Sequence, residues 1–297
     1  MGYHIEQVAN MNDKCGEAPT WDATGRRLLW VDNESDLVHE FSTDTGRIAV
    51  LSRGLNVSGI ALHRGPGLVF GGATGLHLWL GQDNYRTIAS EYQGETLSIN
   101  DLIAGPHGRI YAGTLYWGPD GMEKPGRLYL IGGDGSVRVV EEGVHLSNGL
   151  GFSPDDRTLY YTDSSRRLIY AYDVQADGGL ARRRVFVRVP DDEGLPDGLT
   201  VDADGFVWSA QWYGGQVVRY DPQGRVALRI RMPMLQVSSA TFGGADLTDL
   251  YVTTAGHSWR GGPAPPGYDF DAPNIGGPLY RVRLDVRGRL EHQADFR

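Results

Sequence analysis

The sequence predicts an all-β fold, a six-bladed β-propeller that forms a single domain over residues 1–297. A short unit made of an apolar residue, an aromatic residue and then small or polar residues recurs six times. Its aromatic residues lie 40 to 49 positions apart, the spacing typical of four-stranded propeller blades; they are Trp30, Phe70, Tyr111, Tyr160, Trp208 and Tyr251. A second strand-like segment follows each unit and ends in a turn rich in Asp or Gly. No segment sustains a 3.6-residue periodicity, so we expect few helices.

The two ends of the chain and one long loop complete this prediction. Both terminal segments resemble strands, and we expect one of them to complete a blade that begins at the other end, which would close the ring. Residues 257–277 are rich in Pro and Gly and lie inside the sixth unit. They predict a long surface loop, either over the functional site or as a tolerated insertion. A β-sandwich or barrel with many hairpins is the alternative fold, and the regular period favours the propeller.

Composition restricts the function classes. The chain is 40% hydrophobic and 22% charged, which allows a large core and disfavours global disorder. A net charge of −9 argues against a nucleic-acid partner, which needs a basic surface. No apolar run approaches 18 residues, and the N-terminus lacks the features of a signal peptide. We therefore expect no membrane span and a cytoplasmic protein. Cys15 is the only cysteine, so no intramolecular disulfide is possible.

Polar residues occur where the innermost strand of several blades is expected. They are Glu17 in "CGEAPTWD", Asn100 with Asp101 in "SINDLIAGPHG", Asn148 in "LSNGLGFSPD" and Asp197 in "LPDGLTVDADG". Taken singly, Asn-Gly and Asp-Gly are typical of turns. Equivalent positions in different blades, however, converge on the axis of the ring. Buried carboxylates there would repel each other and lose hydration. A divalent cation resolves both problems, because carboxylate and amide oxygens suit a hard ion.

The motifs "GEAPTW", "ND" followed by "GRIYAGT", "SNGLGFSPD", "PDGLTVDADGFVW" and "FGGADLTDLYVTTA" resemble those of the gluconolactonase family. That family also includes regucalcin (senescence marker protein) and luciferin-regenerating enzyme. The resemblance runs from about Glu17 to Val282. It implies a six-bladed propeller that binds one divalent cation in its central channel and hydrolyses sugar lactones. It also implies metal ligation by Glu17, Asn148 and Asp197, and a substrate contact near the metal by Asn100.

The sequence departs from the family pattern at three positions. Ala18 replaces the second Gly of the family's "GEGP" motif. Ser98 stands where regucalcin-like members carry a sugar-binding Arg, and Gly118 aligns with their substrate-binding Glu. Tyr116 and Trp117 lie beside that point, so we expect Ser98, Tyr116 and Trp117 to contact the substrate. Aromatic surfaces there favour stacking or a less polar substrate.

The favoured function is metal-dependent hydrolysis of a sugar-acid lactone, a small-molecule substrate. The ion would polarise the lactone carbonyl and Asp197 would act as the general base that activates water. We expect Ca²⁺ first, with Mg²⁺, Mn²⁺, Zn²⁺ or Fe²⁺ as the other candidates. Two alternatives stay open: a broader esterase or phosphotriesterase acting on a non-sugar substrate, and a non-enzymatic cation-binding or scaffold propeller.

Other reactive residues favour structural roles. Cys15 has no evident His partner, so packing is favoured over a nucleophilic role. His145 precedes Asn148 by three residues and could approach the mouth of the channel. No "GxSxG" motif occurs, which disfavours a serine hydrolase.

Overall fold

A computed structural model of the chain describes residues 2–118, 121–257 and 259–297. Six antiparallel four-stranded sheets form the blades of a propeller, which confirms the predicted fold class and blade count. The described residues contain no α-helix and only two short 3₁₀ helices, Pro106–Gly108 and Ser164–Arg166. The prediction of few helices is therefore also confirmed. No helix in the described part of the chain has the length and apolar character needed to cross a membrane.

The strands follow the chain from blade to blade. The N-terminal strand is β1 (His4–Asn10), and blade 1 consists of β2 (Gly16–Asp22), β3 (Arg27–Asp32), β4 (Leu37–Ser42) and β5 (Ile48–Arg53). Blade 2 consists of β6 (Val57–Leu62), β7 (Leu68–Gly72), β8 (Gly75–Gly81) and β9 (Asn84–Ala89), and is followed by the hairpin β10 (Glu91–Tyr92) and β11 (Glu95–Thr96). Blade 3 consists of β12 (Ile99–Ala104), β13 (Ile110–Thr114), β16 (Gly126–Ile131) and β17 (Val137–Val144), with the hairpin β14 (Trp117–Gly118) and β15 (Gly121–Met122) inserted.

The second half of the ring has the same plan. Blade 4 consists of β18 (Ser147–Phe152), β19 (Thr158–Asp163), β20 (Leu168–Val174) and β21 (Leu180–Arg188). Blade 5 consists of β22 (Leu195–Val201), β23 (Val207–Trp212), β24 (Gln216–Tyr220) and β25 (Val226–Arg231). Blade 6 consists of β26 (Val237–Gly243), β27 (Asp249–Thr254), β28 (Pro278–Arg283) and, as its outer strand, β1. The N-terminal strand thus completes the last blade, as predicted, by pairing antiparallel with β28.

The six recurring aromatic residues all lie in the second strand of a blade, at the centre of the sheets. Trp30, Tyr111, Trp208 and Tyr251 are fully buried there. Apolar clusters fill the spaces between neighbouring blades, as where the rings of Tyr111 and Phe152 meet edge to face at 5.4 Å. The core is therefore distributed between the blades, which leaves the axis of the ring free for polar groups.

The innermost strands β2, β6, β12, β18, β22 and β26 contact one another in a closed ring. Near its N-terminal end, each inner strand shows a register shift in its pairing with the second strand of the same blade. Such β-bulges leave residues unpaired and redirect their side chains. Because the shifts occur at equivalent positions in all six blades, the bulges of the six inner strands all lie at the same end of the channel.

Gly149 and Gly198 allow neighbouring inner strands to approach each other closely. A Cβ atom on Gly149 would lie 2.4 Å from the backbone nitrogen of Leu199 and 2.6 Å from the carbonyl oxygen of Asp197. A Cβ atom on Gly198 would lie 2.1 Å from Oγ of Ser239. Both dipeptides, Asn148-Gly149 and Asp197-Gly198, lie inside strands. The turn interpretation is therefore wrong for them, because glycine is needed here for interstrand packing.

The C-terminal segment crosses the end of the propeller opposite to the bulges. Gly288 pairs with Asp202 of blade 5, and Ala294 pairs with His63 at the end of blade 2. Backbone N–H groups of Ala294 and Asp295 donate to the carbonyls of Leu62 and Gly108. The segment thus ties several blades together and leaves the other end of the channel open for a site.

Candidate active site in the central channel

A cavity of about 210 Å³ lies at the bulged end of the channel. Its polar lining residues are Cys15, Glu17, Asn33, Glu34, Ser58, Asn100, Asp101, Asn148, Ser164 and Asp197. Its apolar lining residues are Leu115, Trp117, Leu146, Leu195, Trp212 and Trp259. The structure therefore brings Glu17, Asn100, Asn148, Asp197 and Trp117 together around one cavity.

The bulges explain why these side chains converge. Asn100 is unpaired between Ile99 and Asp101 of β12. The register of β18 skips Asn148 and Gly149, and that of β22 skips Asp197 and Gly198. In β2 the shift begins directly after Glu17 and includes Ala18, whose φ is +48°. Each predicted site residue of the inner strands thus lies at or beside a bulge.

A hydrogen-bond chain fixes the two amides. Nδ2 of Asn100 donates to Oδ1 of Asn148 at 2.9 Å and to the carbonyl oxygen of Ser147 at 2.8 Å. Nδ2 of Asn148 donates to Oγ of Ser164 at 2.8 Å. Both N–H groups of Asn100 and one N–H group of Asn148 thus donate to protein acceptors. Oδ1 of Asn100, and the second lone pair of Oδ1 of Asn148, can then face a hard cation or a substrate hydroxyl.

Two carboxyl groups of the cavity, those of buried Asp197 and half-buried Glu17, are electrostatically frustrated. Asp197 is 4% exposed, and its Oδ1 has no hydrogen-bond partner among the described residues. Burial, and next the charge of Asp101, raises the pKa of Asp197 well above its usual range, against the N–H of Gly198. Burial also raises the pKa of Glu17, and the charges of Asp197 and Asp101 add to the shift. Only the Ala18 N–H, which donates to Oε2 of Glu17 at 3.4 Å, opposes it.

These groups fit a hard divalent cation. Two carboxylates and an amide oxygen from Glu17, Asp197 and Asn148 are the donor chemistry that Ca²⁺ and Mg²⁺ prefer. A cation would also give the unpartnered oxygen of Asp197 a partner and favour the ionised carboxylates. In the described ranges, no group of three or more His, Cys, Asp or Glu side chains is placed to hold a metal. The candidate ligands Glu17, Asn148 and Asp197 do not form such a group, because one of the three is an amide and only two are carboxylates.

Three indoles form the apolar side of the cavity. The ring centroids of Trp117 and Trp259 are 5.5 Å apart, and those of Trp212 and Trp259 are 6.3 Å apart, both edge to face. Nε1 of Trp117 donates to the carbonyl oxygen of His145 at 3.2 Å, which fixes that ring. The cavity therefore offers polar oxygens on one side and aromatic surface on the other.

Other predicted residues lie at the edge of this region. Ser98 and Tyr116 are not among the described residues that line the cavity. The Tyr116 hydroxyl donates to the carbonyl oxygen of Thr96 at 2.9 Å, and the backbone of Ser98 hydrogen bonds with Thr96 and Leu115. Their role in substrate binding stays a prediction. Gly118 pairs with Gly121 in the short hairpin β14–β15.

Two further residues with reactive side chains, His145 and Cys15, lie near the cavity. Nε2 of His145 lies 2.7 Å from Nη2 of Arg166, and the His145 side chain is not part of the described cavity lining. Cys15 does line the cavity beside Glu17. Burial, and next the charge of Glu17, raises the pKa of the Cys15 thiol, which disfavours the nucleophilic thiolate.

Several lining residues were not predicted from the sequence. Ser58 is the bulge residue of β6, and its Oγ donates to the carbonyl oxygen of Ile99 at 2.6 Å. Its "Ser-Gly" dipeptide repeats the pattern of "Asn-Gly" and "Asp-Gly", so a stricter alignment of the repeats would have found it. Glu34, Trp212 and Trp259 come from loops and strand ends, where the repeat gives no signal.

Comparison with known proteins identifies the family. The model of the SMP-30/Gluconolactonase/LRE-like region matches residues 15–256. The chain belongs to this family. It is 37% identical to the pentonolactonase XacC from Haloferax volcanii over 298 residues, covering 99% of both chains.

Solved structures of family members have the same architecture. A luciferin-regenerating enzyme superposes with a TM-score of 0.87 at 27% identity, over 99% of both chains. A calcium-binding protein, regucalcin, from Agrobacterium tumefaciens superposes with a TM-score of 0.84 at 26% identity, over 98% of this chain and 97% of that one. The SMP-30/gluconolactonase propeller thus extends over nearly the whole chain.

Proposed function

We propose that the protein is a metal-dependent lactonase that hydrolyses small, uncharged sugar lactones in the channel cavity. The observation that carries this proposal is the unpartnered Oδ1 of buried Asp197, which shares one cavity with Glu17, Asn100 and Asn148. Family membership and the full-length similarity to a pentonolactonase support the same chemistry.

We assign the cation to Glu17, Asn148 and Asp197, with Ca²⁺ favoured because all donors are oxygens. The similarity to a calcium-binding regucalcin supports this choice. When bound, the ion would supply Lewis acidity toward the lactone carbonyl and lower the pKa of a bound water.

The protein's own groups would then manage the proton and orient the ring. Asp197 lines the cavity with its carboxyl group and is our candidate general base for the attacking water. Asn100 uses its N–H group on Asn148 and Ser147, so its carbonyl oxygen is free to accept from a substrate hydroxyl. The indole side of the cavity would exclude water from one face of the lactone.

The charge of the lining supports an uncharged substrate. Four acidic residues, Glu17, Glu34, Asp101 and Asp197, line the cavity. No Lys, Arg or His is among the described lining residues. Lactones that carry a carboxylate or a phosphate would meet these like charges, and no basic residue of the described lining would offset them, so we expect neutral lactones to be preferred.

A broader ester hydrolase is the second candidate, because the three indoles give the cavity an apolar side that would accept less polar rings. The two candidates differ in selectivity. A sugar lactonase turns over polyhydroxylated lactones faster than unsubstituted lactones and aryl esters, whereas a broad esterase shows the reverse order.

The test uses protein stripped of metal with a chelator and assayed by proton release. Neutral pentono- and hexonolactones, a uronolactone, an unsubstituted lactone, an aryl ester and a phosphotriester form the panel, with Ca²⁺, Mg²⁺, Mn²⁺, Zn²⁺ and Fe²⁺ added singly. We expect one ion to restore turnover of the neutral sugar lactones.

Two variants complete the design. Asp197→Asn is expected to abolish turnover, and Glu34→Gln, a lining residue outside the proposed ligand set, is expected to retain most of it. No turnover of any substrate by protein that still binds the ion would refute the enzyme proposal and favour a binding role.

A further inference from the structure

Trp259 is the member of the indole wall that comes from the 257–277 loop. Its ring lies 5.5 Å from that of Trp117 and 6.3 Å from that of Trp212, which belong to blades 3 and 5. It also lies parallel to the ring of Tyr213, with an interplanar angle of 4° and centroids 6.4 Å apart. The loop therefore delivers an aromatic surface directly to the cavity.

Separate blades anchor the loop at Trp259 and just after it. The Tyr213 hydroxyl donates to the carbonyl oxygen of Trp259 at 2.5 Å, and the Trp259 backbone N–H donates to Oε1 of Gln236 at 3.3 Å. Nη2 of Arg167 donates to the carbonyl oxygen of Pro263 at 2.6 Å. Anchors from blade 4, blade 5 and the start of blade 6 thus hold one short stretch of loop, which is more than a tolerated insertion requires.

The same stretch is shaped around the indole. A Cβ atom on Gly261 would lie 2.7 Å from Nε1 of Trp259, and one on Gly262 would lie 2.5 Å from its Cζ3. Neither glycine has a positive φ. Their lack of side chains therefore serves contact with the ring and not an unusual backbone conformation.

We propose that Trp259 is a specificity-determining residue whose indole packs against the apolar C–H face of a small, uncharged sugar ring. The inference rests on the proposed function for the identity of the ring. Tyr213 is a positioning residue that acts through the loop backbone. Because the indole contributes to binding in the ground state and in the transition state alike, its loss should raise KM and leave kcat nearly unchanged.

The experiment measures two quantities in each variant. The first is KM and kcat for a neutral pentono-1,4-lactone. The second is the calorimetric Kd of 1,5-anhydro-D-glucitol, a ring ether without a carbonyl that cannot be hydrolysed. Because the second quantity needs no turnover, it remains informative if the proposed lactonase activity fails. Thermal unfolding of each variant checks that the fold is intact.

The variants separate the indole from its supports. Trp259→Ala should raise KM and Kd about ten-fold, with kcat within about two-fold. Gly262→Ala keeps the indole but displaces it, and should shift both constants in the same direction. Tyr213→Phe removes the hydroxyl that holds the loop and should raise them about three-fold. Tyr268→Phe is the matched control, because the Tyr268 hydroxyl is buried without a hydrogen-bond partner among the described residues.

Unchanged Kd and KM in both Trp259→Ala and Gly262→Ala would overturn the inference, as would a loss confined to kcat. Absence of both ring-ether binding and hydrolysis in the unsubstituted protein would overturn it as well. Ring-ether binding that depends on Trp259, in a protein that hydrolyses no lactone, would support the inference and reject the lactonase proposal. Lactone hydrolysis that does not depend on Trp259 would support the lactonase proposal and reject the inference.

Discussion

Replacing Asp197 by Asn should stabilise the metal-free protein while removing its activity. Asp197 is 4% exposed, and one of its carboxylate oxygens has no hydrogen-bond partner in the described part of the chain. Burial and the charge of Asp101 raise its pKa, so the folded state disfavours the ionised form. The amide of Asn carries no charge, so the substitution removes the desolvation cost of the ionised carboxylate and its repulsion by Asp101. We therefore expect the free energy of unfolding to rise by about 2 kcal/mol in chelator-treated Asp197→Asn at pH 8.

The pH dependence of this effect has a definite sign. An acid whose pKa is raised on folding is protonated in both states at low pH, and its destabilising effect develops as pH rises above the unfolded pKa. The advantage of the variant should therefore be absent below about pH 4 and should grow as the pH rises toward 8. Saturating Ca²⁺ should reverse the order of stability, because the cation stabilises only the protein that binds it well.

Asp202→Asn is the matched control for this measurement. Asp202 is also fully buried, but its Oδ2 accepts from Nη2 of Arg219 at 2.6 Å and from Nε1 of Trp208 at 2.9 Å. Neutralising it removes the short ion pair of the buried Arg219 guanidinium and leaves only the exposed carboxylate of Asp204, 3.9 Å away, so this variant should lose about 3 kcal/mol.

Urea denaturation of both variants at pH 4 and pH 8, with chelator or Ca²⁺, provides the comparison. Destabilisation of metal-free Asp197→Asn at pH 8 would refute the assignment of Asp197 as a frustrated carboxylate.

Three further predictions follow from single residues. Burial raises the pKa of Glu291 to about 7, so ionisation of this residue should destabilise the fold as the pH rises from about 4.5 to 7. Glu291→Gln should remove up to about 3 kcal/mol of this pH-dependent loss of stability, which denaturation at pH 5 and pH 8 would measure. Ala18 has a φ of +48°, and replacing it by Gly releases the backbone strain of this conformation but also increases the conformational entropy of the unfolded chain. Ala18→Gly should therefore raise the free energy of unfolding by only about 0.5 kcal/mol, and a clear loss of stability would contradict this prediction. Gly149→Ala would place a Cβ atom 2.4 Å from the backbone of Leu199, so it should lower the free energy of unfolding by about 2–3 kcal/mol and weaken Ca²⁺ binding measured by calorimetry. Unchanged stability and Ca²⁺ affinity would show that the inner strands can move apart without cost.

Much of the fold could be predicted because every blade repeats the same pattern of apolar, aromatic and turn residues. The aromatic residue of each second strand recurs at blade spacing, since every blade must bury the same central strand against its neighbours. The polar residues Glu17, Asn100, Asn148 and Asp197 stand out because they interrupt apolar strands, and ring symmetry alone brings such positions together. The cavity lining agrees with that expectation for all four residues.

The rest depended on contacts between distant parts of the chain. Whether Asn148-Gly149 forms a turn or a bulge is decided by the neighbouring strand, whose backbone occupies the space that a Cβ atom would need. Trp259 reaches the cavity because Tyr213, Gln236 and Arg167 on other blades hold its loop. The sequence by itself determined the blades, their number and the polar positions on the axis, because these follow from periodicity. Only the tertiary structure decided which indoles face the cavity, because the position of the loop depends on hydrogen bonds to residues that are distant in the sequence and follow no local pattern.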